Sequence, residues 1–183
     1  MSEFVSRRLR SGQTMRYHTT PHIGQGQTVA EHSWRACVLM HTLWPQHVTK
    51  AAIVWMMYHD SAEQELGDMP APAKWNFPVL ADCYYQHEQL IEQELEIHEY
   101  YDALTEDEKT IVQMADMLEC LDHVAHRIMR GDHSFEARKI YWNARKHLEE
   151  RFSKSVLFEE ARKFMRHLHT RVVPFCPAVA SHA

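Results

Sequence analysis

His59 and Asp60 stand side by side at the end of the apolar run Ala51-Ala52-Ile53-Val54-Trp55-Met56-Met57-Tyr58. Burying two strong metal-ligand types together is costly unless a cation compensates them, so the pair marks a candidate metal centre. Neighbouring residues on a helix diverge by about 100°, and these two flank one ion only near a helix end, where the backbone loosens. His32 on the preceding helix and Asp116 on a later one are best placed to complete the set, since each sits among apolar neighbours on a core-facing stretch. A lone His-Asp pair arises by chance in a chain with 15 histidines; His32 and Asp116 in helical frame give it weight. Glu63 falls one turn after His59 on the same face, in reach of a metal-activated water as a general acid/base, although its spacing suits an exposed helix-end acid equally well. The proline-stiffened segment Gly67-Asp68-Met69-Pro70-Ala71-Pro72 presents Asp68 as a fixed acceptor for a hydroxyl. Lys74 follows as a point charge for phosphate, with Trp75 beside it as a pocket wall. Arg16 offers a second phosphate-binding cation next to Tyr17 and His18, rings on which a base can stack.

The elements that must position these groups read as helices throughout: the chain has only 5 Gly and 7 Pro, and no strict apolar/polar alternation between turn signals. A short first helix ends near Ser11-Gly12, and a polar loop spans 16–27. Thr28 with Glu31 forms a capping box that opens a helix to about Trp44, stopped by Pro45. A second helix is expected over Thr49 to Glu65, ended by Gly67; Pro70 and Pro72 argue against helix until about Pro78. One helix is expected over Val79 to Ala103, with Glu88, Glu92, Glu96 and Glu99 as its solvated face. Thr105 with Glu108 repeats the capping box for a helix running to about Met129 and ended by Gly131. Two further helices, about Ser134–Phe152 and Val156–Val172, precede a loosely held tail from Pro174. The expectation is an all-α, single compact helical domain over 1–173 with a tail over 174–183.

A chain of 183 residues with 45% hydrophobic and 25% charged residues supports one real core. A formal net charge of −5 argues against a nucleic-acid-coating surface, and Arg7, Arg8 and Arg10 read as a solvated helix face. Cys37, Cys83, Cys120 and Cys176 show no CxxC and suit a reducing cytoplasm. No signal-peptide pattern opens the chain and no apolar run reaches about 18 residues, so no membrane partner is expected. The five tryptophans read mainly as packing, the ten methionines as core filler and the remaining histidines as surface or satisfied groups.

Four blocks in order carry a resemblance: Thr28-Val29-Ala30-Glu31-His32-Ser33, Tyr58-His59-Asp60-Ser61-Ala62-Glu63, Gly67-Asp68-Met69-Pro70-Ala71-Pro72-Ala73-Lys74 and Met114-Ala115-Asp116. Together they resemble the signature of the HD-domain nucleotide phosphohydrolases. Within these the chain is most similar to the YfbR-like 5'-deoxynucleotidases and their phage relatives, the DatZ-type dATP triphosphohydrolases. The resemblance implies an HD-domain helical bundle in which His32, His59, Asp60 and Asp116 bind one divalent ion (Co, Mn, Ni, Zn or Mg), and Glu63 acts in catalysis. It implies that Asp68 holds the sugar 3'-hydroxyl while Arg16 and Lys74 bind phosphate, and that the protein assembles as a homo-oligomer. The bacterial nucleotidases carry Arg-Trp in the first loop where this chain has Arg16-Tyr17 followed by His18, which leaves the base preference open. The leading expectation is hydrolysis of a purine deoxynucleoside triphosphate, dATP above all, to deoxynucleoside and tripolyphosphate. The alternative is a 5'-deoxynucleotidase releasing phosphate from the monophosphate. A catalytically inactive helical binding module is a further alternative, opposed by the intact ligand set and Glu63, and low charge disfavours a phosphodiesterase.

Overall fold

Helices account for every regular element among the described residues of the computed structural model, which are residues 2–17 and 26–176. In chain order they are α1 (Ser2–Ser11), α2 (Val29–Leu43), α3 (Lys50–Tyr58), α4 (Glu63–Leu66), α5 (Ala71–Asn76), α6 (Pro78–Glu94), α7 (His98–Asp102), α8 (Glu106–Met129), α9 (Phe135–Phe152) and α10 (Phe158–Val172). The expected all-α bundle is the fold observed. The expectations for His18 and for 177–183 lie outside the described residues. Cys176, the last described residue, is buried.

The centre is α8, whose Ile111, Met114, Ala115, Leu118, Leu121, Val124 and Ile128 are buried against α2, α3, α9 and α10. Their spacing of three and four residues lays one apolar stripe along the helix, which neighbouring helices must cover. Both capping boxes form: Thr28 accepts from the Glu31 backbone at the start of α2, and Thr105 from that of Glu108 at the start of α8. Glu108 does more than cap. Its Oε1 accepts from the Thr49 backbone at 3.1 Å, so the starts of α3 and α8 are tied through one carboxylate. Trp44, buried at the end of α2, donates its indole N–H to the Leu157 carbonyl at 2.9 Å.

Four expectations change. The helix expected over Thr49–Glu65 breaks after Tyr58, and His59 to Ala62 form a turn before α4. Pro70 and Pro72 do not keep the chain out of helix: Pro70 is the N-cap residue of α5 and Pro72 lies in its first turn, where a missing N–H has no intrahelical partner to lose. The helix expected over Val79–Ala103 ends at Glu94, where Glu96 takes φ of 53°. The Ile97 N–H bonds the Glu92 carbonyl at 3.0 Å and the Glu96 N–H bonds that of Gln93 at 3.0 Å. That is the left-handed helix stop usually built on glycine, here formed on a glutamate because Leu95 and Ile97 bury on either side of it. Finally, Arg7 and Arg8 are not a solvated face. Arg7 bridges Glu65 at 2.6 Å and Glu94 at 3.1 Å, and Arg8 lies over the Phe4 and Tyr58 rings while donating to the Leu95 carbonyl. Together they fasten α1 across the ends of α4 and α6.

Tyr141 and Trp142 turn inward on α9: Tyr141 is fully buried and Trp142 packs against the main core. Leu148, also fully buried on α9, has no room to be replaced by smaller side chains without leaving a void. Leu148→Ala is expected to lower unfolding free energy by about 2–5 kcal/mol. A denaturant titration should show a shifted midpoint with an unchanged slope.

Candidate active site

The break after Tyr58 makes the site possible. α3 gives way to a turn at His59, and from this turn His59 and Asp60 both bring a ligand atom to one point beside His32. His32 rises to the same point from the second turn of α2 and is fully buried. Among the described residues, His32, His59 and Asp60 each place a ligand atom within 4.8 Å of the others. Asp116 joins from α8, its Oδ1 3.1 Å from His32 Nε2, and its side chain is 41% exposed, open to an incoming substrate.

The donor atoms are oriented for a metal. His59 Nδ1 donates to the Met56 carbonyl at 2.9 Å, which leaves Nε2 to carry the lone pair. His32 Nδ1 faces the Glu119 carboxylate at 2.6 Å, leaving its Nε2 inward. Both Nε2 atoms are buried with no hydrogen-bond partner, although carboxylate oxygens of Asp116 and Asp60 lie 3.1 and 3.2 Å from them. Two imidazole lone pairs and two carboxylates so crowded fit one divalent cation placed among them.

The carboxylates crowding this point favour positive charge at its centre, supplied by a proton on His32 or by a cation that displaces it. Burial and Arg16 oppose a charged His32, yet the Asp116 and Glu119 carboxylates outweigh them and push it up to about 9. Burial works against ionised Asp60 and Asp116 too. His59, Arg16 and His32 nevertheless hold Asp60 below its ordinary range, and His32, His59 and Arg16 do the same for Asp116. Glu63, at the start of α4 and only 6% exposed, is pushed up to about 9 by burial and by Asp60. Its Oε2 has no hydrogen-bond partner. It is no exposed helix-end acid, and it can hold a proton beside the metal ligands.

The substrate-side candidates meet unequal fates. Arg16 Nη1 pairs with Asp60 Oδ2 at 3.0 Å, only 15% exposed, so this cation belongs to the site. Lys74 lies over the Tyr84 and Tyr85 rings, 5.2 and 5.6 Å from their centroids, and acts on both Glu63 and Glu88. Asp68 Oδ2 accepts from the Tyr17 backbone N–H at 3.1 Å, while Tyr84 donates to the Gly67 carbonyl at 2.7 Å and pins the segment to α6. Gly67 takes φ of 79°, which a side chain would strain. Tyr17 is held on α8: its ring stacks one face on His123 at 5.3 Å and 3°, and its hydroxyl reaches Cys120 Sγ at 3.4 Å. His18 and the Trp75 side chain lie outside the described part.

One group of functional residues was missed. Glu119, 0% exposed and one turn beyond Asp116, contacts His32 Nδ1 at 2.6 Å, Arg35 Nε at 2.6 Å and Gln27 Nε2 at 2.7 Å. Arg35 also reaches Asp122. Such a carboxylate fixes the imidazole tautomer and ring direction. The available signal was a glutamate within the apolar stripe of α8, where an unpaired charge is not tolerated. Glu88 and Glu92 also escape the expected solvated face: Glu92 is buried, Glu88 half-buried, and both line a cavity that reaches His59.

An all-helical domain in which a histidine, a His-Asp pair and a distant aspartate converge defines the HD-domain class of phosphohydrolases. The chain matches the 5'-deoxynucleotidase YfbR-like family over residues 13–172, and it belongs to that family of metal-dependent phosphohydrolases. It is 30% identical over 137 residues to a 5'-deoxynucleotidase of Vibrio vulnificus, covering 62% of this chain and 69% of that one. In solved structures it is similar to the HD phosphohydrolase DatZ of cyanophage S-2L bound to dA and one catalytic Zn2+ ion, at 20% identity, TM-score 0.67, and coverage of 90% and 96% of the two chains. It also resembles the PH0347 protein of Pyrococcus horikoshii, at 16% identity, TM-score 0.70, and coverage of 93% and 99%.

Replacing Glu119 should be felt at the metal before it is felt in the fold. Glu119→Gln is expected to weaken divalent-ion affinity by about 10- to 100-fold, measured by competition with a chelator. An affinity equal to that of the unchanged protein would remove Glu119 from this role.

Proposed function

We propose that this chain hydrolyses 5'-deoxynucleoside monophosphates to the deoxynucleoside and phosphate. The observation that carries this reading is the cation count at the site: of the two sequence-identified phosphate binders, Arg16 is already paired with Asp60, and Lys74 is a single point charge. That suits one phosphoryl group, whereas a triphosphate presents several more oxygens to be met. The family and its curated relatives, named 5'-deoxynucleotidases, support the same reading. The sequence alone leaned toward dATP triphosphohydrolysis, which now stands second, since the likeness to the phage enzyme rests on the fold.

In this reading His32, His59, Asp60 and Asp116 hold one divalent ion, which supplies polarisation of a phosphoryl oxygen and a lowered pKa for a water. Arg16 neutralises the phosphate from the Asp60 side, and Lys74 meets its outer oxygens. Glu63, buried and with one carboxylate oxygen unengaged, gives the proton it holds to the departing 5'-oxygen and regains one from the attacking water. Asp68, held by the Tyr17 N–H, accepts from the sugar 3'-hydroxyl. No described helix is long and apolar enough to cross a membrane. Assembly into a homo-oligomer is part of the proposal, supported by exposed Trp34 on α2 and Val79 on α6.

Incubating the metal-loaded protein with dAMP, AMP and dATP tests the function. Orthophosphate from dAMP should dominate, with slower release from AMP and little product from dATP. Tripolyphosphate from dATP as the main product would promote the triphosphate reading instead. Glu63→Gln should retain metal and lower kcat on dAMP by about 10²- to 10⁴-fold; an unchanged kcat would return Glu63 to a structural role.

A further inference from the structure

Tyr84 and Tyr85 are neighbours on α6 and touch both ends of the connection that carries Asp68 and Lys74. At the near end the Tyr84 hydroxyl donates to the Gly67 carbonyl at 2.7 Å, on the peptide that leads into Asp68. At the far end Lys74 Nζ lies 5.2 Å from the centroid of the Tyr84 ring and 5.6 Å from that of Tyr85. Between these points run Pro70 and the six-residue α5. Isolated helices under about 12 residues are marginal in water, so so short an element takes its position from what it is fastened to. The separation of Asp68 from Lys74 is therefore set on α6.

The chemistry of the two side chains suits this task. Tyr84 is buried, and burial together with the Glu63, Glu88, Asp60 and Asp68 carboxylates holds its phenol well above the ordinary range, so it stays a donor. Lys74 acts on Glu63 and Glu88, and an ion pair with either would neutralise it within the protein. A ring face instead holds an ammonium group through its quadrupole and leaves the formal charge for an anion. We infer that Tyr84 and Tyr85 are positioning residues for the substrate: the Tyr84 hydroxyl sets Asp68 against the sugar 3'-hydroxyl, and the two rings hold Lys74 toward the phosphate. They act through Asp68 and Lys74, and the inference rests on the monophosphate reading, in which those residues have these roles.

Two couplings test it in the metal-loaded protein. Tyr84→Phe removes the hydroxyl and keeps the ring. The preference in kcat/KM for dAMP over 2',3'-dideoxyadenosine monophosphate, which lacks the 3'-hydroxyl, should fall by about threefold or more, through KM, with kcat on dAMP within about twofold. A purely structural loss would lower both substrates alike and leave that ratio fixed. Tyr85→Leu, at an exposed position, should weaken calorimetric affinity for orthophosphate by about threefold when Lys74 is present and not at all in Lys74→Met. A fixed substrate ratio, or a Tyr85 effect that is absent or is the same with and without Lys74, would overturn the inference. Should Tyr84→Phe fail to fold by its melting curve, the Tyr85 coupling alone decides. If the unchanged protein releases no phosphate from dAMP, or treats the dideoxynucleotide equally well, the underlying reading falls and this one with it. If it cleaves dAMP, discriminates the two and neither coupling is found, only the role of the tyrosines falls.

Discussion

A fully buried carboxylate against a fully buried imidazole, Glu119 with His32, is the contact on which the arrangement turns. An isolated ionised glutamate in that position would be strongly unfavourable, so its neighbours are prescribed by physics. Gln27 and Arg35 complete its hydrogen bonds, one from the end of the first loop and one from α2. Because Glu119 belongs to α8 and His32 to α2, the pair also sets how these helices register, and Asp116 arrives beside His32 as a consequence of that register. Removing either partner would strand the other, which is why a position that touches no substrate is bound to the chemistry.

The second constraint is where α3 stops. Were the helix to continue through His59 and Asp60, their side chains would diverge around its axis. The turn after Tyr58 brings both inward, and the His59 bond to the Met56 carbonyl locks the ring. The same turn begins α4 with Glu63, so a single interruption supplies two ligand candidates and the buried acid. Short elements follow, α4 and α5, with the glycine at 67 between them, and the Tyr84 hydroxyl anchors that connection to α6.

Much of this was legible in the sequence. The capping boxes at Thr28 and Thr105 are local and depend on residues within one turn, so they read correctly; the sequence also singles out His32, His59, Asp60 and Asp116, whose side chains converge, and Glu63, which is buried. The failures share a cause: each was decided by tertiary contact. Glu96 stops α6 in a left-handed conformation that its side chain does not advertise, because Leu95 and Ile97 bury around it. Glu88 and Glu92 keep the spacing of a solvated face but line a cavity wall, with Glu92 3.9 Å from His98 of α7. Pro72 could break or begin a helix, and only its place in the first turn of α5 decides which. That Tyr17 rests one face on His123 is likewise decided between distant parts of the chain. Glu119 looks like one more charge on a charged helix until its burial is known.

The first loop is closed at its neck. Met15 and Thr28 form an isolated antiparallel bridge, the Arg16 N–H bonds the Gln27 carbonyl at 2.7 Å, and the Val29 N–H bonds that of Thr14 at 2.9 Å. Both ends of the segment are thus fixed by backbone, independently of the side chains between them. The neck thereby brings two groups to the site together: Arg16 leaves it to meet Asp60, and Gln27, its partner across the neck, leaves it to meet Glu119. One short backbone contact thus sets both the cation beside the His-Asp pair and the amide behind His32, and a change that loosens the neck loosens both at once.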